Sequence, residues 1–292
     1  MKRLSLILAV TLLAFAGQAQ LLWKVSGNQL GRPSYIMGTY HFAPSSMMDE
    51  IPGMEQALKG CDIVVGELKA ADLNDPASQA MVAQALLAPA DSTLDKLYSP
   101  EDFRVITQTF NKYFGGMGVK ISQMNSFKPM AIITQMTALQ SLKYFPENNP
   151  NALIDNAVQA RAEEMGRPSE GLETIKDQLD LLLNAPISTQ AQVLLETCRQ
   201  DDGYQLLSAA LAEAYIHQDL DKILEVINGD AKDGDIVNEV LVYNRNRKWV
   251  ENLVKIMPER SCLVCVGAGH LPGDKGLLQL LRDRGYTVEP MQ

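Results

Sequence analysis

The pattern of apolar and polar residues predicts short strands at both ends of the chain. Runs of four to six largely apolar residues, bounded by glycine, proline and asparagine, are typical of buried strands. Such runs occur at Leu21–Ser26, Ser34–Met37, Asp62–Glu67, Cys262–Val266 and Tyr286–Pro290. Short helices are predicted between them, at Met54–Lys59 and Lys275–Asp283. Each end of the chain is therefore expected to form a β-loop-α-β unit.

The middle of the chain, from about residue 91 to residue 259, has the three- and four-residue spacing of apolar positions that indicates helices. The predicted helices are Glu101–Phe114, Met130–Phe145, Ala152–Met165, Leu172–Asn184, Thr189–Cys198, Tyr204–Tyr215 and Ile236–Met257. No repeat of constant length is present, which disfavours a solenoid. The sequence thus predicts an α/β fold whose central sheet comes from the two terminal units, with a large helical middle region.

The two terminal units share a four-residue motif. Gly38-Thr-Tyr-His41 follows the second predicted strand, and Gly267-Ala-Gly-His270 follows the first strand of the C-terminal unit. Because the carboxyl ends of parallel strands meet at one edge of a sheet, where ligands usually bind, we expect the two histidines to lie close together. We expect the first glycine of each motif to let the backbone turn tightly.

Histidine is rare in this chain, which makes the shared motif more informative. Only three histidines are present, and the third, His217, follows a helical segment beside two aspartates and is predicted to lie at the surface. A single histidine at a strand end is more often structural than functional. Two at equivalent points of two similar units favour a site.

A carboxylate is predicted at the same edge. Glu67 ends the strand that follows the first motif, and its alternative role is as an ion-pair partner of Lys69. Two imidazoles and one carboxylate are a common ligand set for a catalytic divalent metal with an open position for water. Such a metal lowers the pKa of the bound water and polarises a substrate carbonyl.

Two further residues are weaker candidates. Glu173 is either a site carboxylate or an acidic residue in the first turn of a helix, where the helix dipole favours it. Arg245 shares a helical face with Trp249, and it is either a surface residue beside Arg247 or a group that neutralises a carboxylate or an oxyanion. The residues alone leave both pairs of alternatives open.

The first nineteen residues have the features of a signal peptide. Lys2 and Arg3 precede the apolar run Leu4–Ala16, and Gly17 and Ala19 supply the small residues of a cleavage site. The run is shorter than the roughly 20 apolar residues that span a bilayer, and no lipid-modified cysteine follows it. We therefore expect a single domain over residues 20–292, located outside the cytoplasm, periplasmic or secreted, and not held in the membrane.

Net charge restricts the expected binding partners, and the cysteine spacing bears on zinc and disulfide chemistry. The net charge is −9 without any basic cluster, so nucleic acid is not an expected partner. Cys262 and Cys265 have C-x-x-C spacing, but they lie within a predicted buried strand and no second pair completes a zinc site. A disulfide from Cys61 to one of them is left open, as are the oligomeric state and any role of Cys198.

Taken in order, several short motifs resemble the TraB/GumN family, which is related to the Tiki metalloproteases. They are Leu22-Trp-Lys-Val-Ser26, Tyr35-Ile-Met-Gly-Thr-Tyr-His41, Val64-Val-Gly-Glu67, Gly171-Leu-Glu-Thr174, Arg245-Asn-Arg-Lys-Trp249, Val266-Gly-Ala-Gly-His-Leu271 and Gly285-Tyr286. The resemblance covers nearly all of the chain after residue 19. Each motif alone is weak, whereas their order is specific.

This resemblance implies a metal site formed by His41, His270 and Glu67, with Glu173 and Arg245 as supporting catalytic residues. The expected cofactor is a divalent ion such as Mn, Co or Zn. The expected function is a metal-dependent hydrolase, in particular a peptidase, acting on a peptide or small-molecule substrate. A related group with similar architecture includes haem-binding lipoproteins and erythromycin esterases. The alternative is therefore an extracytoplasmic protein that binds haem, a metal or a peptide without turnover.

Overall fold

A computed structural model describes residues 20–145, 152–229 and 238–291 of the 292-residue chain. The predicted signal peptide, residues 1–19, lies outside the described residues. Six strands form one sheet in the described part of the chain: β1 (Leu22–Gly27), β2 (Ser34–Thr39), β3 (Ile63–Gly66), β4 (Ser169–Gly171), β5 (Cys262–Gly267) and β6 (Tyr286–Pro290).

The helices before residue 146 are α1 (Met54–Gly60), α2 (Ala70–Leu73), α3 (Pro76–Ala85), α4 (Leu94–Leu97), α5 (Pro100–Phe114) and α6 (Pro129–Ser141). Those that follow are α7 (Ile154–Glu164), α8 (Ile175–Leu183), α9 (Ile187–Arg199), α10 (Asp201–Ile216), α11 (Leu220–Asn228), α12 (Asn244–Ile256) and α13 (Leu277–Asp283). A π-helical segment, Glu239–Tyr243, leads directly into α12. The predicted combination of a terminal sheet and a helical middle region is confirmed.

The strand order β4-β3-β5-β2-β1-β6 brings the two ends of the chain into one sheet. Strands β4, β3, β5 and β2 are mutually parallel, whereas β1 runs antiparallel to both β2 and β6. Each terminal unit is therefore a parallel crossover, from β2 through α1 to β3 and from β5 through α13 to β6. As the sequence predicts, both G-x-x-H motifs lie at the carboxyl ends of neighbouring parallel strands.

The register of β2 with β5 offsets the two motifs by one residue. Gly38 pairs with Val266, and Thr39 pairs with Gly267. Because successive residues of a strand face opposite sides of the sheet, the first glycines of the two motifs face opposite sides. The side that carries Gly267 also carries Thr39.

Two hydrophobic cores stabilise the described part of the chain. The larger core surrounds the sheet and includes Ile36, Val64 and Val264, each fully buried between the layers of helices. The smaller core joins the helices of the middle region, where Phe110 of α5 and Leu194 of α9 are fully buried. The larger core therefore supports the sheet that carries the predicted site, and the smaller core supports helices of the middle region.

The structure differs from the sequence prediction at several elements, and the helices α2, α3, α4 and α11 have no individually predicted counterpart. The predicted helix Leu172–Asn184 begins only at Ile175, and it is preceded by the short strand β4. This strand was missed because a Ser-Glu-Gly segment has neither the length nor the apolar composition of a typical strand. The predicted helix Met130–Phe145 ends at Ser141, and the predicted helix Ile236–Met257 is divided by the π-helical segment, with residues 236 and 237 outside the described part.

All four cysteines are buried free thiols, and Cys61 is not bonded to Cys262 or Cys265. Burial raises the pKa of the Cys262 thiol to about 12, which keeps it protonated. Among the described residues no helix is both long and apolar enough to cross a bilayer.

Candidate metal centre

Three neighbouring strand ends bring His41, Glu67 and His270 together. The Nε2 atoms of His41 and His270 each lie 3.8 Å from Oε1 of Glu67. His41 follows β2, Glu67 follows β3, and His270 ends a short turn, Ala268–His270, after the intervening strand β5. The structure therefore brings together all three of the predicted metal ligands.

Close contact between the two motif loops explains the first glycine. A β-carbon at Gly38 would lie 3.0 Å from Cα and 3.1 Å from Cβ of Ala268, closer than ordinary side chains approach. Gly38 does not have a positive φ angle, and Gly267 has a φ angle of −50°. The expected reason for these glycines, a tight turn that only glycine adopts, is therefore wrong: Gly38 permits close approach of two backbones.

The second motif's glycine leaves space in front of the predicted ligands. A β-carbon at Gly267 would lie 3.3 Å from Oε1 of Glu67 and 3.5 Å from Nε2 of His41. The same position is 3.6 Å from Cδ2 of His270. The three side chains thus converge on a site that the missing side chain of Gly267 leaves open.

The orientation of His41 is fixed by a carboxylate from α7. Asp155 Oδ2 lies 3.2 Å from Nδ1 of His41, and Asp155 Oδ1 accepts a 2.6 Å hydrogen bond from the hydroxyl of Thr39. A carboxylate accepts hydrogen bonds, so Nδ1 of His41 carries a proton and Nε2 faces Glu67.

The surroundings of His41 favour a positive charge. Burial of the ring opposes protonation, but the Asp155 and Glu67 carboxylates outweigh it and raise the pKa of His41 to about 9. The side chain is 56% exposed, so solvent screens part of this attraction.

His270 has an amide partner instead of a carboxylate. Nδ2 of Asn246 donates to the carbonyl oxygens of His270, at 3.1 Å, and Lys275, at 2.9 Å. Those two acceptors assign the amide nitrogen, so Oδ1 of Asn246 faces Nδ1 of His270 at 2.7 Å and accepts its proton. The Nε2 lone pair of His270 is consequently directed into the site.

His270 is also enclosed by an aromatic ring. Its side chain is 8% exposed, and its ring centroid is 4.5 Å from that of Trp249, which is fully buried. Burial, together with the nearby guanidinium of Arg245, lowers the pKa of His270 to about 3. The imidazole is therefore neutral over the ordinary pH range.

Glu67 uses both carboxylate oxygens. Oε1 accepts a 2.8 Å hydrogen bond from the backbone N–H of Gly267, and Oε2 accepts from Gln178 at 3.2 Å and from Arg245 at 2.5 Å. Burial would raise its pKa, but the two imidazoles and the guanidinium lower it to about 2. Glu67 therefore forms its ion pair with Arg245, and not with Lys69 as in the alternative interpretation of the sequence.

Arg245 joins the two glutamates. Nη2 lies 2.5 Å from Oε1 of Glu173, and Nε donates to Oε2 of Glu173 at 3.1 Å, while Nη1 lies 3.1 Å from Nε2 of His270. With 15% of its side chain exposed, Arg245 is not a surface residue. Glu173 lies before helix α8, whose N-cap is Thr174, so it is not part of that helix.

Helix α12 delivers Arg245, Asn246 and Trp249 to the site from one segment. Arg245 stacks over the Trp249 ring at 4.5 Å, and its Nη1 donates to the carbonyl oxygen of Leu241 at 3.1 Å. Leu241 belongs to the π-helical segment that precedes α12. Such π-helical turns are frequent at functional sites because they redirect the side chains that follow.

A pocket of about 220 Å³ opens beside the three predicted ligands. Its walls include His41, Glu67 and Asp155, together with the apolar side chains of Leu68, Leu73 and Leu153. Arg245 is not among the residues that line it. The pocket therefore combines ligand atoms on one side with an apolar wall on the other.

The donors are close to, but not at, the spacing for one ion. Across residues 20–145, 152–229 and 238–291, no three His, Cys, Asp or Glu side chains are grouped so as to hold a metal as they stand. A tetrahedral ion with bonds of about 2.1 Å separates its ligand atoms by about 3.4 Å. The 3.8 Å separations to Glu67 Oε1 exceed this by a few tenths of an ångström. The donor types and the space at Gly267 fit a divalent ion after a small inward movement.

Sequence reasoning missed three residues that contact the predicted ligands. Asp155, Gln178 and Asn246 bind His41, Glu67 and His270, respectively. Asn246 follows Arg245 directly, so its presence beside the site could have been found by extending that motif. Asp155 and Gln178 lie within ordinary amphipathic helices and give no local signal. His217 is exposed, as predicted.

The comparisons with known proteins agree with this arrangement of fold and residues. The model of the TraB/PrgY/gumN family matches residues 21–290. The chain therefore belongs to this family, and the predicted membership is confirmed.

The individual relatives are distant. The chain is 22% identical to a protein named "Metalloprotease TIKI homolog" from Amphimedon queenslandica, over 94% of this chain and 62% of that one. It is 22% identical to "Metalloprotease TIKI2" from Danio rerio, over 92% of this chain and 60% of the relative. It is also 23% identical to "Uncharacterized protein YbaP" from Shigella flexneri, over 86% of this chain and 88% of the relative. The chain spans about three-fifths of the Tiki relatives it matches, and no solved structure matches it.

Proposed function

We propose that the protein is a metal-dependent hydrolase, and specifically a peptidase. The observation that carries this proposal is the convergence of two imidazole Nε2 atoms on one carboxylate oxygen, 3.8 Å from each, at the carboxyl ends of three neighbouring strands. The distant relationship to proteins named as metalloproteases supports the same class of reaction.

His41, His270 and Glu67 are the residues that would hold the ion. Asp155 and Asn246 keep a proton on the Nδ1 atom of each imidazole, so the Nε2 lone pair of His270 is available to a metal, and that of His41 becomes available when the ion displaces the Nε2 proton. A divalent ion bound there would lower the pKa of a water molecule and polarise a substrate carbonyl. The proposed cofactor is Mn, Co or Zn, each of which accepts nitrogen and oxygen ligands.

Acceptance of the water proton and stabilisation of the developing charge involve the acidic and basic residues around the ligands, including the ion pair of Arg245 and Glu173. Glu67 lines the pocket where a substrate would bind and Glu173 does not, so we assign acceptance of the water proton to Glu67. Arg245 lies behind the ligands, 3.1 Å from Nε2 of His270 and outside the pocket lining, and from there its positive charge would stabilise the negative charge that develops on oxygen. Its pairing with Glu173 keeps the guanidinium in that position.

The substrate would bind in the pocket beside the ligands. The side chains of Leu68, Leu73 and Leu153 offer an apolar surface for one residue of a peptide, and Glu67 and His41 lie at the end of this surface. A peptide substrate accords with this pocket because it presents a carbonyl next to a side chain.

The test combines metal titration with peptide cleavage. We expect the purified protein to bind about one equivalent of divalent ion, and His41→Ala or His270→Ala to weaken binding by more than about 100-fold, since each removes a ligand. His217→Ala is the matched control, because it removes an exposed histidine far from the motifs in sequence. Cleavage of a peptide library should stop with chelator and resume when metal is restored.

Two results would count against the proposal in different ways. Equal and negligible metal in wild-type protein and both histidine variants would contradict the metal centre itself. Tight binding that depends on both histidines, without chelator-sensitive cleavage of any peptide, would contradict the hydrolase and support the alternative of a binding protein.

A further inference from the structure

The guanidinium of Arg245 occupies one ligand atom that a metal ion needs, Nε2 of His270, and also contacts the second oxygen of Glu67. Its Nη1 lies 3.1 Å from the Nε2 atom of His270, and its Nη2 lies 2.5 Å from Oε2 of Glu67. Because Asn246 holds the proton of His270 on Nδ1, the Nε2 lone pair has one position for a donor or a metal. Arg245 and an ion therefore compete for the same atom.

A second set of contacts holds Arg245 in the same position without involving His270. Glu173 binds the guanidinium through both oxygens, at 2.5 Å to Nη2 and 3.1 Å to Nε, and Trp249 stacks against it at 4.5 Å. None of these contacts involves Nη1, and because the guanidinium is rigid, Arg245 keeps them only if Arg245 and Glu173 move away from His270 together as a pair. The paired side chains are 15% and 11% exposed, which makes separation of the two charges costly.

We propose that Arg245 acts as a resident cation in the metal-free site, and that metal binding requires it to withdraw from His270 while it stays paired with Glu173. Arg245 thereby sets the affinity of the site for divalent ions. Glu173 acts through Arg245: it holds the guanidinium back and so favours metal entry. This inference rests on the proposed function, because it concerns the same metal centre.

The inference also accounts for the spacing of the ligand atoms. Nη1 and Nη2 of one rigid guanidinium contact His270 and Glu67 at the same time, and this fixes the separation of those two side chains. The distance from Nε2 of His270 to Oε1 of Glu67 is 3.8 Å, against about 3.4 Å for two ligands of one tetrahedral ion. Withdrawal of Arg245 would free both side chains to move inward.

The test measures Co²⁺ affinity by calorimetry in a set of variants. Arg245→Met keeps the length of the side chain and removes the competing donor, so affinity should rise about 10- to 100-fold, the strength of a hydrogen bond to a charged group. Glu173→Gln should lower affinity about 10-fold, because Arg245 then depends more on His270 and Glu67. Arg247→Met is the matched control: it removes the same charge from the same helix at a side chain that is 48% exposed.

The double variant separates competition from simple electrostatics. If Glu173 acts through Arg245, Glu173→Gln should have little effect once Arg245 is methionine, so the two effects will not add. Additive effects would overturn the inference. The double variant also removes one positive and one negative buried charge together, so it keeps the charge balance if either single variant fails to fold.

A fluorescence measurement tests the movement directly. In a Trp23→Phe background Trp249 is the remaining tryptophan, and it contacts both Arg245 and His270. Titration with Zn²⁺, a d¹⁰ ion without paramagnetic quenching, should change its emission more when Arg245 is present than in Arg245→Met. Equal changes would overturn the inference.

The proposed function and this inference fail in distinguishable ways. If wild-type protein and Arg245→Met both bind no ion, the metal centre itself is contradicted. If binding depends on His41 and His270 but Arg245→Met binds no more tightly than Arg247→Met, only the role of Arg245 is contradicted.

Discussion

The two G-x-x-H motifs have the same sequence pattern and the same place in two similar units, yet their histidines lie in different surroundings. His41 is 56% exposed and has the Asp155 carboxylate as its partner. His270 is 8% exposed and lies between the Asn246 amide, Arg245 and Trp249. Their pKa values are displaced in opposite directions, to about 9 and about 3.

The difference accompanies a one-residue offset between the two strands, and different helices contact the two histidines. Thr39, and not Gly38, pairs with Gly267, so equivalent motif positions face opposite sides of the sheet. Thr39 can therefore bind Asp155 on the side of the site, while Gly38 faces the turn at Ala268. A repeated motif thus supplies two equivalent ligand atoms without supplying two equivalent environments.

The largest expected contrast is in stability. His270→Ala should lower the free energy of unfolding by about 3 kcal/mol, because it leaves a buried cavity beside Trp249 and removes the partner of Asn246. His41→Ala, at an exposed side chain, should cost less than about 1 kcal/mol. Urea denaturation of the metal-free proteins measures both. Similar losses for the two variants would contradict the difference in burial as the cause.

The motif glycines provide the next contrast. Gly38→Ala should destabilise the fold by about 2 kcal/mol, because its β-carbon would press on the backbone of Ala268 at 3.0 Å. Gly267→Ala should leave stability within about 1 kcal/mol but weaken metal binding, since its β-carbon would occupy the space between His41 and Glu67. Thermal unfolding measures the stability of both variants, and metal titration measures their affinity. A larger stability loss for Gly267→Ala, or a larger affinity loss for Gly38→Ala, would contradict these roles of the two glycines.

The smallest contrast concerns the partners of the imidazoles. Asp155→Asn keeps a hydrogen-bonding group of the same size beside His41 but removes its charge, so metal affinity should fall about tenfold. Asp72→Asn, an exposed carboxylate on α2, is a control for the loss of one negative charge. A fall of equal size in both variants would mean that net charge, and not the contact with His41, sets the affinity.

Much of the fold is predictable from the sequence because its signals are local. The strands β1, β2, β3, β5 and β6 are apolar runs bounded by turn residues, and each lies within two residues of its predicted limits. The proximity of His41 to His270 follows from a general property of parallel strands, which places their carboxyl ends together. The position of Glu67 follows from the same property.

The site contacts that the sequence does not predict are made between segments far apart in the chain. Asp155 reaches His41 across 114 positions of sequence, and Gln178 reaches Glu67 across 111. Neither position differs in pattern from any polar residue on an amphipathic helix. The choice between a surface and a buried Arg245 also required the structure, because the spacing Arg245–Trp249 defines a helical face without saying what that face contacts.

The two edge strands of the sheet influence whether molecules of this protein associate at high concentration. Exposed strand edges can pair with those of another molecule, and short length, charge and proline discourage such pairing. The edge strand β4 has only three residues, and its Glu170 forms an ion pair with Arg260. The opposite edge, β6, ends in exposed Glu289 and Pro290. Both margins are therefore poor templates for intermolecular β-pairing, which favours resistance to aggregation.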